Sequence, residues 1–211
     1  MNPESVKLLG RSSSINVRKV LWTLAELGIE YQHEEWGNEA LPLRSAAFLA
    51  LNPNAMVPVL QHEGHTLWES NTICRYLAGR FGRDDLLPAA PAQRARVEQW
   101  MDWQATELNN AWRYAFMGLV RRSPAHQDAP ALRASIQRWN EHMAILDAAL
   151  ADTAAYVTGD RFTLADIALG LSVHRWYMTP FKHPQLAAVA AYYELLSRRP
   201  AYLRHGRNGL P

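Results

Sequence analysis

Three consecutive serines, Ser12-Ser13-Ser14, follow a short apolar run ending at Gly10 and lead into a segment of helical periodicity. Hydroxyls at a helix start sit beside N–H groups that lack an intrahelical acceptor, at the positive end of the helix dipole, so they can donate to an anion and stabilise it. Glu69-Ser70-Asn71 stands at the start of another helical stretch. There the same N–H groups attract a carboxylate, Ser70 either contacts it or caps the helix, and Glu69 can accept from an ammonium group. Between the two lies Val57-Pro58. Proline makes a cis peptide accessible, and a cis bond turns the preceding residue's backbone outward, giving an edge on which an extended chain can pair. An isolated Val-Pro would read as an edge-strand proline; with Glu69-Ser70 downstream it reads as a binding feature.

These residues need elements to hold them. Val6-Lys7-Leu8-Leu9 is a strand, and Val17, Val20, Leu21, Leu24 and Leu27 follow one helix face that stops at Gly28. Residues 29–36 form a second strand, 57–62 and 65–68 pair as a hairpin through Glu63-Gly64, and 70–82 is helical. Strands and helices in this order imply a small mixed sheet with helices packed on it. Residues 84–91, with Pro88 and Pro91, read as a linker. The texture then becomes wholly helical. Val97, Trp100, Met101, Gln104 and Leu108 mark one face, and Leu132, Ile136, Trp139, Met143, Leu146 and Leu150 another. Thr163-Leu164-Ala165-Asp166 opens a third helix with a threonine and an acid spaced for reciprocal capping. A run over 185–197, stopped by Pro200, completes the pattern.

Composition narrows the function. Net charge is +2 from 22 basic and 20 acidic residues over 211 positions, which leaves no electrostatic footprint for nucleic acid. The single cysteine, Cys74, forms no internal disulfide and fits a reducing compartment; on its helix it reads as a small packed side chain. No secretory leader or membrane-spanning run is present, so a cytoplasmic protein is expected. The histidines have no metal-ligand spacing, and no glycine-rich phosphate loop occurs, so neither a metal nor a nucleotide cofactor is expected.

Four segments carry a resemblance to a known family. Ser12-Ser13-Ser14-Ile15-Asn16-Val17-Arg18, Leu51-Asn52-Pro53 leading to Val57-Pro58-Val59-Leu60, Trp68-Glu69-Ser70-Asn71, and Gly159-Asp160 to Asp166 are similar, in order and separation, to those of the cytosolic glutathione transferases. The chain resembles the bacterial serine-type members, theta- or nu-like, over essentially its whole length. The resemblance implies an α/β plus all-α fold: a thioredoxin-like glutathione-binding domain over 1–83, a linker over 84–91, and an all-helical domain over 92–211 that forms the acceptor pocket in the cleft beside the sulfur. It implies glutathione as co-substrate, its cysteine paired on the backbone at Val57-Pro58 and its γ-glutamyl end on Glu69 and Ser70. It also implies a homodimer.

A free thiol of pKa about 8.5 is only a few per cent thiolate at neutral pH, so a hydroxyl that favours the anion raises the nucleophile's population. In the family's register Ser14 takes the place of the thiol-contacting hydroxyl and Asn16 that of an assisting asparagine. Ser12, Ser13 and a purely capping role for the cluster remain alternatives. A cysteine- or tyrosine-type mechanism has no support, because the turn has no cysteine and the first strand no tyrosine. Met56 departs from the family, which often has glutamine, lysine or arginine near this place to hold the glycyl end; the loop from Trp36 to Arg44 is the region that could compensate. Trp112, Tyr114, Phe116 and Met117 are candidates for the acceptor pocket, whereas Trp100 and Trp139 are expected in the core. Three readings follow: transfer of glutathione to an apolar electrophile, reduction of a disulfide or peroxide at the same site, which Asn16 favours, and a non-catalytic binding or interaction module.

Overall fold

Burial of Val6, Leu8 and Leu9 makes the first apolar run a core strand, β1 (Val6–Leu9). The computed structural model describes residues 5–211. They divide into two units, one ending at Leu87 and the other running from Pro88 to Pro211. Leu86 and Leu87, within the stretch read as a linker, are buried.

In the first unit α1 (Ile15–Leu27) returns the chain so that β2 (Tyr31–Glu34) lies parallel to β1, Leu8 opposite His33. After a short helix, α2 (Ala46–Leu49), β3 (Val59–His62) pairs antiparallel on the other side of β1 and β4 (His65–Trp68) forms the edge, giving the order β2-β1-β3-β4. This four-stranded mixed sheet is thioredoxin-like. The hairpin turn has positive φ at both Glu63 and Gly64, the backbone that matches the twist of two flanking strands. Glu63 is held there by the Arg80 guanidinium.

β2 is shorter than the expected 29–36 for reasons at both ends. Gly28 stops α1 in the left-handed region and Ile29 N–H closes back on Leu24 O at 3.2 Å, so Ile29 belongs to the helix stop. Trp36 N–H turns back to Glu34 O at 2.9 Å and ends the strand. α3 (Ser70–Arg80) packs on α1. Two polar contacts join them: Lys19 Nζ donates to Asn71 Oδ1 at 3.1 Å, and Thr23 Oγ1 lies 3.1 Å from Cys74 Sγ. Burial pushes the Cys74 thiol up to about 11, so this cysteine is a packed side chain and no nucleophile near neutral pH.

The second unit is helical: α4 (Pro91–Trp103), a π turn (Gln104–Leu108), α5 (Asn109–Leu119), α6 (Ala129–Thr153), α7 (Leu164–Met178), α8 (Ala187–Leu196) and α9 (Pro200–His205). α7 is its centre, buried on every side from Leu164 to Trp176. The expected straight helix through Leu108 is interrupted by the π turn. Its cause is the fully buried Gln104, whose Nε2 donates to Asn109 Oδ1 at 2.9 Å and to Ser172 Oγ at 3.0 Å, a pairing that needs the backbone to bulge. Two further expectations are corrected. Pro200 opens α9 at its first position, where a missing N–H costs nothing, as well as ending the preceding run. Trp100 is half-buried and stacks edge-on with Trp103, whereas Trp139 is fully buried. Among the described residues no helix is long and apolar enough to cross a membrane.

Candidate functional site

The serine cluster is a tight turn. Ser14 N–H bonds to Arg11 O at 3.0 Å, so Ser12 and Ser13 are its central residues and Ser14 occupies the N-cap position of α1 with extended backbone. An N-cap serine normally accepts an N–H from the first turn, yet the Ser14 side chain makes no such bond. Its hydroxyl is unused by the helix. The turn is pinned from outside: Ser12 N–H donates to the Glu35 carboxylate at 3.0 and 3.3 Å, and Arg11 NH1 to Gly37 O at 3.3 Å.

Asn16, in the first turn of α1, meets α3. Its Oδ1 accepts from the Ser70 hydroxyl at 3.4 Å, joining residues 54 positions apart. Ser70 therefore does not cap α3: Glu69 takes that position with φ of 72°, an unusual conformation for a side-chain-bearing residue and one that clusters at functional sites. Neither α1 nor α3 has an acidic residue in its first turn. Two helix N-termini thus converge with their positive ends unneutralised by their own first-turn residues.

The third component is the Val57–Pro58 corner, where the peptide bond is cis. Val57 lies outside the β3 ladder, and its N–H and C=O have no hydrogen-bond partner among the described residues. Its side chain packs against the cluster of Leu9, Phe48 and Val59, as do those of Trp36, Leu43 and Leu51. Asn52 shapes the approach: almost fully buried, it donates from Nδ2 to Met56 O at 2.8 Å and accepts Asn54 N–H at 3.0 Å. The Met56 side chain is 60% exposed and makes no polar contribution.

Gly10 joins this corner to the serine turn. A Cβ on Gly10 would stand 2.7 Å from Val17 Cγ2 and 2.8 Å from Val57 Cβ, and its φ of 143° suits glycine. Gly10→Ala should therefore displace Val57 and lower stability by about 2 kcal/mol, read by urea unfolding. Gly28→Ala, at a φ of 68° with no atom within 4 Å of the added Cβ, should cost only about 1 kcal/mol.

Of the residues singled out in sequence, the structure brings Asn16 to Ser70, sets Ser14 two residues before Asn16, and sets Val57 against the glycine that opens the turn carrying Ser12, Ser13 and Ser14. Asn52, Gly10 and Glu35 had no role assigned from sequence; only the Asn-Pro-Asn pattern around Asn52 carried a local turn signal. In the second unit Trp112 and Phe116 lie edge to face at 5.4 Å, and the Arg175 guanidinium sits over both rings, 4.6 and 4.0 Å from their centres. Tyr114 points elsewhere, stacking near His126 and accepting Asp128 N–H at 3.3 Å.

Family models match both units: the glutathione S-transferase N-terminal domain over residues 4–79 and the glutathione S-transferase C-terminal domain over 129–205. The chain belongs to the glutathione S-transferase family. It is 39% identical over 198 residues to glutathione S-transferase GstB of Escherichia coli, covering 93% of this chain and 95% of that one. It is 33% identical over 206 residues to glutathione S-transferase 3 of Zea mays, covering 93% and 91%. The glutathione-bound crystal structure of the theta class glutathione S-transferase from Xanthomonas axonopodis pv. citri superposes with a TM-score of 0.89 at 39% identity, covering 96% of this chain and 97% of that one.

Proposed function

We propose that this glutathione S-transferase binds glutathione on the Val57 backbone, with Glu69 and Ser70 taking the γ-glutamyl ammonium and carboxylate, and that Ser14 donates to the thiol sulfur so that it ionises. Asn16, tied to Ser70, orients that end of the site. The thiolate attacks the electrophilic carbon of an apolar acceptor; on an aryl chloride, the C–S bond forms as chloride leaves with the bonding pair. The observation that carries this reading is an N-cap serine with its hydroxyl unused by the helix, beside two helix N-termini without first-turn acids. In this reading residues 1–83 form the glutathione domain, 84–91 the linker, and 92–211 the helical domain that supplies the acceptor pocket, with Trp112 and Phe116 as its aromatic side chains. The enzyme works as a cytoplasmic homodimer without a metal.

Asn16 supports a second reading, in which the acceptor is a disulfide: the thiolate attacks one sulfur to form a mixed disulfide and expels the other as a thiolate, and a second glutathione thiolate attacks the mixed disulfide to give glutathione disulfide and the second thiol. Calorimetry and turnover separate the readings. One glutathione per chain should bind, and chloronitrobenzene turnover should exceed that of 2-hydroxyethyl disulfide. The reverse order of rates assigns the enzyme to disulfide reduction; no binding, or binding without acceleration of either acceptor, overturns both and leaves an interaction module.

A further inference from the structure

Glutathione carries three ionised ends, and the site described so far accounts for the two on its γ-glutamyl residue. We propose that Arg11 holds the third, the glycyl carboxylate, and thereby makes the enzyme discriminate glutathione from peptides that lack glycine. This inference rests on the glutathione reading above.

With the cysteine along Val57 and the γ-glutamyl end at Ser70, the glycyl end extends past Val57 on the opposite side, where the loop after β2 packs: Trp36 and Leu43 share a cluster with Val57. A carboxylate leaving water for such a corner needs a charged donor. Met56 offers none. Arg11 follows Gly10, the residue in closest approach to Val57, and consecutive Cα atoms lie about 3.8 Å apart, so the Arg11 backbone is at this corner. Its side chain is laid over the loop: NH1 donates to Gly37 O at 3.3 Å, and a Cβ on Gly37 would stand 3.6 Å from Arg11 Cδ. One donor is used for this anchor, and the others have no partner among the described residues. Glu35, the acid of this corner, is turned to Ser12 N–H. The guanidinium is therefore pre-positioned and unneutralised, the state in which an arginine takes a carboxylate through two N–H groups. Lys7, Arg80 and Arg83 in the same unit are already paired with Glu34, Glu63 and Asp85. Arg44 is the other exposed cation on this loop and serves as the comparison.

The test is calorimetric titration of wild type, Arg11→Ala and Arg44→Ala with glutathione and with γ-glutamylcysteine, which lacks the glycine and ends in a carboxylate on the cysteine itself, one residue short of Arg11. Wild type should prefer glutathione. Arg11→Ala should weaken glutathione about tenfold or more, the worth of a hydrogen bond to a charged group, and leave γ-glutamylcysteine unchanged. Arg44→Ala should alter neither. Equal losses for both peptides would make Arg11 a merely structural residue and overturn the assignment, as would an unchanged glutathione affinity or a selective loss in Arg44→Ala. A wild type that binds neither peptide overturns the glutathione reading itself, a result distinct from these.

Discussion

Ser14→Ala should lower kcat with a chloronitrobenzene acceptor by up to about eightfold at pH 6.5, with the deficit closing as pH rises past about 8.5. The size follows from thiol ionisation. A hydroxyl and a helix N-terminus that together lower a thiol from about 8.5 to about 6.5 supply roughly 2.7 kcal/mol. Losing both would take the thiolate population at pH 6.5 from about a half to about one in a hundred, a roughly fiftyfold loss that bounds the effect of the hydroxyl alone. Part of this is returned because a more basic thiolate is a better nucleophile, with a Brønsted slope of about 0.4–0.5. KM for glutathione should change little, since the peptide's charged ends are held elsewhere. The variant should also unfold at the same denaturant concentration: Ser14 makes no cap bond, so the loss of about 1 kcal/mol usual for an N-cap serine does not apply. Ser14→Thr should keep activity, and Ser12→Ala and Ser13→Ala should retain the wild-type pH profile. The role passes to one of those serines if its removal, and not that of Ser14, moves the profile, and a profile identical in all three variants would leave the cluster a backbone turn.

Why the sequence exposes Ser14 and hides its surroundings is a matter of range. The helix stop at Gly28, the turn at Glu63-Gly64 and the helix start at Ser70 are each written within a few residues, because the groups they satisfy belong to their own turn. The π turn leaves no trace in the pattern: the apolar face through Trp100, Met101, Gln104 and Leu108 continues across it, and Ser172, the hydroxyl that the buried Gln104 bonds there, is 68 residues away. The site divides in the same way. The serines, Val57-Pro58 and Glu69-Ser70 are local motifs. Gly10's approach to Val57, the Asn16–Ser70 bond and Glu35's grip on Ser12 N–H are meetings of distant segments. Burial of Lys19 on α1 was equally illegible, since a lysine reads as surface until Asn71, 52 residues on, is brought to its ammonium.

The largest stability effect should come from Asp166, far from this chemistry in sequence. Its fully buried carboxylate collects four donors at the start of α7: Oδ1 takes Val157 N–H at 3.1 Å and Tyr192 O–H at 2.9 Å, and Oδ2 takes Thr163 N–H at 2.8 Å and Thr163 O–H at 3.1 Å. It thus ties the 157–163 loop and α8 to the central helix of its unit. Asp166→Ala strands these donors away from water. At about 1–3 kcal/mol for each unsatisfied buried group, and with some of them finding other partners, unfolding free energy should fall by about 4 kcal/mol at pH 7. Asp166→Asn keeps one acceptor oxygen and should fall by about half as much. The pH dependence gives a second readout. Burial pushes this carboxyl up to about 6, against the pull of its donors, while in the unfolded chain it titrates near its ordinary value of about 4. Between those values the folded state binds the extra proton, so the contribution to stability falls as pH rises from about 4 to about 6 and is flat above. Wild type carries this slope and Asp166→Ala does not. The gap between them in urea unfolding should therefore widen on acidification below pH 6, by about 1.4 kcal/mol for each pH unit crossed. A gap that stays constant from pH 7 to 4.5, or narrows, would mean that the carboxylate is ionised throughout, its four donors outweighing the cost of burial.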